Sequence, residues 1–226
     1  NKYFLEADDL QKKEIISKKF TSLINNSKNI TILNYADSNG NIIYSSNSLN
    51  GEINISDREH FQILKNNENL TTTFSDVITS KMTGKSSLVL ARAIRDENKD
   101  LLGVITAVIN INTINEILAS IDLGENGVSL LRRSDNTKLI SRYPSSEIVE
   151  LNQSLPENNP IIVRIRTGEK TGTLEYIAST DGKKRVGSFI VMEDFPFYVQ
   201  TAISEDVYLD SWKEDLKVVA VLFVLF

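Results

Sequence analysis

The chain has 226 residues, enough for one large domain or two of about 100 residues. Its 41% hydrophobic and 24% charged content suits a soluble globular protein, and 25 Lys and Arg against 30 Asp and Glu give a net charge of -5, which argues against nucleic-acid binding by counterion release. Cysteine is absent, which excludes disulfides, thiolate metal sites and a cysteine nucleophile.

Residues 1–27 read as a long helix, with Ile16, Phe20, Leu23 and Ile24 on one face and Lys12, Lys13, Lys18 and Lys19 between them. With no initiator Met and no signal-peptide pattern, the sequence is expected to begin inside a longer protein. From Ile30 the period becomes that of strands: ITILNYA, the turn DSNG and NIIYSS form a β-hairpin. DSNGN is no calcium loop, because its glycine stands fourth rather than sixth. A helix starts near Ser56, and strand-like runs follow at 72–79, 86–95 and 101–111, separated by KMTGK and DENKD. Hairpin, helix and meander make an antiparallel sheet with helices on one face, an α+β design.

The order then recurs. A second hairpin, 128–133 and 138–142, turns at Asp135 and Asn136, and runs at 161–166, 172–179, 185–192 and 198–203 are read as a second meander. Asp37 and Asp135 occupy equivalent turns, which points to a domain duplication. The last element, 204–217, takes Ser204 as N-cap and Glu205 and Asp206 in its first turn, with Tyr208, Trp212, Leu216 and Val219 on one face. It leads into VVAVLFVLF, nine apolar residues at 218–226. That is short of the about 20 a spanning helix needs, but the run is cut off rather than terminated, so it is expected to open a membrane span.

Catalytic motifs are missing. Gly84-Lys85-Ser86 resembles the end of a phosphate-binding loop, but Thr79 stands where that motif needs its first glycine, so a hairpin turn is expected. One histidine, no cysteine and no H-x-x-x-H spacing give no zinc site. Without a G-x-S-x-G elbow either, the segment is not read as an enzyme, and no cofactor or metal is expected.

The stretch ISDREHFQ carries the densest signal. Ser56 and Glu59 have capping-box spacing and Asp57 suits a helix N-terminus, which leaves Arg58, His60 and Phe61 unexplained. Arg58 and Phe61, three apart, share a helix face flanked by His60. A guanidinium there offers bidentate recognition of a carboxylate or phosphate and disfavours protonation of His60. Phe61, together with Leu64, also reads as packing of the helix on the sheet.

The succession NISDREHFQ, SKMTGKSSLVLARAI, GVITAVININ, IDLGENGVSLLRRSDNTKLISRYP and FPFYVQTAISEDVYLDSW resembles the double Cache sensor domain, the extracytoplasmic module of bacterial transmembrane receptors. The wording is most similar to sensors that precede diguanylate cyclase or histidine kinase modules. The resemblance covers nearly the whole chain. It implies an α+β fold with a long N-terminal signalling and dimerisation helix (1–27), a membrane-distal, ligand-binding PAS-like Cache domain (28–118), a membrane-proximal Cache domain (119–203), and a C-terminal helix entering the second membrane segment (204–226). In the amino-acid-sensing branch the helix carries Arg-x-Trp-Tyr and a strand carries an aspartate for the ligand's amino group. Arg58 matches the arginine, His60 and Phe61 stand at the aromatic positions, and Val108 falls at the aspartate.

The resemblance therefore implies an organic acid or other small anion rather than an α-amino acid. The expected ligand-binding residues are Arg58, His60 and Phe61, with Ser80, Thr83, Ser87 and Arg92 as further wall residues. The expected protein is a homodimer anchored in the inner membrane with this domain in the periplasm, taking a small-molecule ligand and no nucleic acid. A ligand-free dimerisation module and a chemotaxis-receptor sensor are the alternatives. The distal domain is expected to hold a ligand-sized cavity and the proximal one a small or filled core, because Arg-x-His-Phe has no counterpart at 144–160.

Overall fold

The computed structural model describes residues 9–27, 29–49, 51–178, 182–207, 209 and 216. The chain divides into two compact units, Asn1–Ile114 and Asn115–Phe226.

The first unit opens with α1 (Asp9–Asn25) and the hairpin β1 (Ile32–Asp37) and β2 (Ile42–Ser45). Helix α2 (Glu59–Asn66), short strands β3 (Thr72–Phe74) and β4 (Ile78–Thr79), and the long pair β5 (Ser86–Arg95) and β6 (Leu101–Asn110) follow. The sheet runs β2-β1-β6-β5-β3, with β4 also on β5, and its described pairs are antiparallel. The expected strand at 72–79 is broken after Phe74: the Ser75 N–H still donates to the Val89 carbonyl at 2.8 Å, but the Val89 N–H is accepted by Ser75 Oγ, at 2.9 Å, in place of a backbone carbonyl.

Register explains the core. Ile32, Asn34 and Ala36 lie opposite Val108, Thr106 and Val104, which in turn lie opposite Val89, Ala91 and Ala93. Alternation puts these nine positions on one face of the sheet. Phe61 and Leu64 of α2 pack there with Ala36, Ala91, Ala93 and Val104, all buried. On α1, Ile16, Phe20 and Ile24 are half-buried while Leu23 is exposed, and Thr21 donates to the carbonyl of Ser46 at 3.1 Å.

Helix α3 (Ile111–Ala119) contains the division between units. The second unit then repeats the plan: hairpin β7 (Val128–Arg133) and β8 (Leu139–Tyr143), helix α4 (Pro160–Arg166), and strands β9 (Thr171–Ile177), β10 (Lys184–Val191) and β11 (Phe197–Ser204). Its sheet runs β8-β7-β11-β10-β9, the path of the first sheet with β7 in the place of β1. The strand expected at 161–166 is α4 instead. The β-branched run IIVRIR reads as strand, but Asn159 caps the Ile161 N–H at 3.0 Å and Pro160 occupies the first turn, so the chain starts a helix. Burying Ile161 and Ile162 against Phe189 and Tyr198 completes it.

Ser204, expected as an N-cap, ends β11 with its hydroxyl buried and without a hydrogen-bond partner, and residues 205–207 are helical. Most of the expected C-terminal helix, including Tyr208, Trp212 and Val219, and the apolar run at 218–226 lie outside the described residues. No helix among the described residues is long and apolar enough to cross a membrane.

Candidate functional site

Helix α2 is fixed at both ends by backbone contacts. At its start the turn of β1–β2 meets residues 55–56: the Ile55 N–H donates to the Gly40 carbonyl at 2.8 Å. Gly40 has a φ of +86°, and a Cβ there would lie 2.6 Å from the Ser56 nitrogen, so both conformation and space require glycine. The capping box does not form. Ser56 and Asp57 make a turn first, Arg58 takes the cap position in extended backbone without a side-chain cap, and its carbonyl accepts the Gln62 N–H at 3.0 Å. At the far end Arg95 of β5 donates to the carbonyls of Leu64 and Asn67, occupying acceptors that a helix C-terminus leaves free.

Between the start of α2, the β4–β5 turn and the sheet lies a cavity of about 40 Å³. Arg58, His60, Ser80 and Lys81 line it, with Asn34 and Thr106 from the sheet face described above. Isoleucines 42, 53, 55 and 78, with Met82, Val89 and Val108, make the apolar wall. Asn34 is locked: its Oδ1 accepts from the Ser45 hydroxyl at 2.8 Å and its Nδ2 donates to Thr106 Oγ1 at 3.3 Å. Arg58 Nη2 donates to the Thr79 carbonyl at 3.1 Å, which holds the guanidinium toward the β4–β5 turn. Lys81 reaches back across the same gap to Asp57 at 2.6 Å and the Asn54 carbonyl at 2.7 Å. That hydrogen bond from Lys81 is the largest cause holding the Asp57 carboxyl below its ordinary pKa.

His60 is 3% exposed, and its Nδ1 is buried without a hydrogen-bond partner. Burial above all, then the charge of Arg58, push its pKa down to about 4. The imidazole is therefore neutral at physiological pH and offers one donor and one acceptor. Among the described residues the cavity lining has two cations and no carboxylate. Such a wall suits the charged end of an anion on Arg58 and a hydrocarbon end against the isoleucines.

The Cache domain family model matches residues 3–212. The chain belongs to the Cache domain family. No curated protein matches it. Among solved structures, the Cache chain is similar to the extracellular domain of the proposed histidine kinase rpHK1S-Z16, with a TM-score of 0.75 and 21% identity over 88% of this chain and 80% of that one. It is also similar to the periplasmic sensory domain of the Campylobacter jejuni chemoreceptor Tlp1, at a TM-score of 0.64 and 15% identity over 88% and 80%. The ligand-binding domain of the Pseudomonas aeruginosa amino acid chemoreceptor PctB, in complex with L-Gln, gives a TM-score of 0.58 and 18% identity over 79% and 69%. At these identities the likeness is one of fold, and all three are extracellular, periplasmic or ligand-binding domains of receptors or kinases.

Of the expected site residues, the Cache fold brings Arg58, His60 and Ser80 to the cavity. Phe61 does not line it: fully buried, it sits in the core with Leu64, one helical step round from His60. Thr83 is exposed in the β4–β5 turn, where its N–H donates to Ser80 Oγ at 3.3 Å. Ser87 is buried, but its hydroxyl donates to the Lys85 carbonyl at 3.1 Å and it lies outside the lining. Arg92 is exposed, because alternation from Ala91 and Ala93 turns it to the opposite face.

Asn34, Lys81 and Thr106 line the cavity and were not foreseen. For Asn34 and Thr106 a signal existed: each is a polar residue at a core-facing position of a strand, between Ile32 and Ala36 and between Val104 and Val108. Val108 lines the cavity at the position aligned with the amino-group aspartate. The second unit has a cavity of about 50 Å³, much the size of the first unit's, so the expected inequality between a ligand-sized distal cavity and a small or filled proximal core is not found. The polar lining of the second cavity comes mainly from strands, where a comparison of helices does not reach.

Proposed function

We propose that this Cache chain is the extracytoplasmic sensing module of a transmembrane signalling receptor, and that its first unit, the membrane-distal one, binds a short organic acid. The observation that supports this most is the cavity that brings Arg58 beside the buried, unpartnered Nδ1 of His60, with no carboxylate among the described residues of its lining. Leaving a buried polar atom unsatisfied costs about 1–3 kcal/mol, which a ligand's hydroxyl or carboxyl would offset. Val108 supplies no acceptor for an ammonium group, so the α-amino acids bound by the chemoreceptor relative fit poorly. A cavity of about 40 Å³ holds roughly three water-sized volumes, room enough for a short acid.

In this reading the receptor is a homodimer anchored in the inner membrane, and the C-terminal helix passes the signal to a histidine kinase or diguanylate cyclase module. The ligand biases one of two arrangements, by about 1–3 kcal/mol of coupling.

The test is calorimetric titration of the protein with acetate, propionate, lactate, pyruvate and, for contrast, alanine. The carboxylates lacking an amino group are expected to bind, and alanine to bind more weakly or not at all. Preferential binding of alanine would overturn the ligand class. No binding by any of the compounds would favour a ligand-free dimerisation module.

A further inference from the structure

Two short segments flank the cavity of the first unit: residues 54–58, which lead into α2, and the turn at 80–85, which joins β4 to β5. That turn is closed on itself. The Ser80 N–H donates to the Lys85 carbonyl at 3.0 Å, the Gly84 N–H donates to the Ser80 carbonyl at 2.8 Å, and Ser80 Oγ accepts the Met82 and Thr83 N–H groups, both at 3.3 Å. Lys81 is thus presented from a fixed backbone. Its side chain lines the cavity, and its ammonium crosses to Asp57 Oδ1 at 2.6 Å and to the Asn54 carbonyl at 2.7 Å. Arg58 crosses between the same segments in the other direction, donating to the Thr79 carbonyl at 3.1 Å.

The two cations of the lining therefore differ. Arg58 bonds a neutral carbonyl, whereas Lys81 already has a carboxylate that the chain itself supplies. Asp57 is not part of the lining. It holds the outer end of Lys81, with its own side chain 62% exposed. The hydrogen bond from Lys81 first, with the charges of Lys81 and Arg58 adding to it, keeps the Asp57 carboxyl below its ordinary range, so it is ionised at neutral pH. A monocarboxylate seated on Arg58 leaves the Asp57–Lys81 pair undisturbed. A second carboxylate on the same short ligand does not: near Lys81 it meets the like charge of Asp57 or must displace it.

We propose that Asp57 is a specificity-determining residue: by occupying Lys81 it makes the first cavity select monocarboxylates over dicarboxylates of the same skeleton. This rests on the reading that the cavity takes an organic acid on Arg58. Repulsion of the wrong ligand, rather than any added attraction for the right one, sets the preference. Asp57→Asn keeps the shape of the side chain and removes its charge, which frees the Lys81 ammonium for the second carboxylate of a ligand. The experiment titrates the full chain, without a histidine tag, with propionate and with malonate, in which a second carboxylate replaces the methyl of propionate, at a pH where both are fully ionised. His60 is the only histidine of the sequence and lines the cavity, so its ring resonances in proton–carbon NMR report binding at this site.

Wild type is expected to bind propionate more tightly than malonate. In Asp57→Asn the ratio of the two affinities should move toward malonate by about ten-fold. Adding Lys81→Ala should return the ratio toward its wild-type value, a coupling that a general loss of structure does not produce. Asp57→Ser replaces the asparagine variant if that one does not fold. Malonate binding wild type more tightly than propionate, an unchanged ratio in the folded Asp57 variant, or a ratio that Lys81→Ala does not restore would each overturn the proposal, while propionate that still shifts His60 leaves the acid reading in place. If neither acid shifts His60 in any of these proteins, the acid reading fails and the proposal falls with it.

Discussion

His60→Gln is expected to flatten the acid side of the stability curve. His60 is the only histidine. Its pKa falls from 6.5 in the free side chain to about 4 in the folded protein, through burial first and Arg58 second. The unfolded chain therefore takes up a proton at a pH where the folded chain does not. The contribution of neutral His60 is fully present above pH 6.5 and is lost as pH falls toward 4, where the folded state also begins to protonate. Linkage gives a loss of about 2 kcal/mol at roughly pH 5 and about 3 kcal/mol once pH is below about 4. Carboxylates titrate in the same window, so the informative quantity is the difference between wild type and His60→Gln. Glutamine has no proton to take up, and its own packing cost is independent of pH. Urea unfolding at a series of pH values, read by circular dichroism, gives that difference. The gap between the proteins should shift by about 2 kcal/mol against wild type from pH 7 to 5. Parallel curves would mean that folded His60 protonates as it does in water, and the buried imidazole would be refuted.

If the ligand is anionic, Arg58→Ala should weaken it by more than about 1.5 kcal/mol, roughly ten-fold, with little loss of stability, and Arg58→Lys should recover only part of this in calorimetry. Phe61→Ala removes a fully buried ring from the core around Leu64 and Val104, and should cost about 3–5 kcal/mol in urea unfolding. Arg92→Ala, on the exposed face, should leave ligand affinity unchanged and stability within about 0.5 kcal/mol. Gly40→Ala should destabilise by at least about 1 kcal/mol in thermal unfolding, since its φ of +86° and the Cβ contact with Ser56 are both unfavourable.

Hairpins and long strands were legible because half-buried strands alternate: β1, β5 and β7 begin and end within two residues of their expected bounds. The duplicated order was legible for the same reason. Where a short apolar run is buried on a helix, alternation misleads. IIVRIR at 161–166 has strand composition, and only the preceding Asn-Pro pair marks the helix start. Ser56 and Glu59 had capping-box spacing, but the docking of residues 55–56 on Gly40 turns the chain before the helix can begin there.

At the site, Arg58 and His60 were found because nothing local accounted for them. Ser87 and Arg92 differ in strand parity, so no single face could have held both. Arg132, which lines the cavity of the second unit, could have been found by the same parity, since Val128, Leu130 and Arg132 share a face in VSLLRR. A cation in an apolar series is the signal, and a search guided by the helix motif of the first unit passes over it.

The measurement closest to the central claim is a crystal structure of the chain grown with the carboxylate that binds most tightly in calorimetry. The account predicts that acid in the first unit, its carboxylate on Arg58 and near His60 and Ser80, and its carbon end against Ile78, Val89 and Val108. A ligand lodged outside that cavity, with Arg58 still bonded only to Thr79, would contradict it.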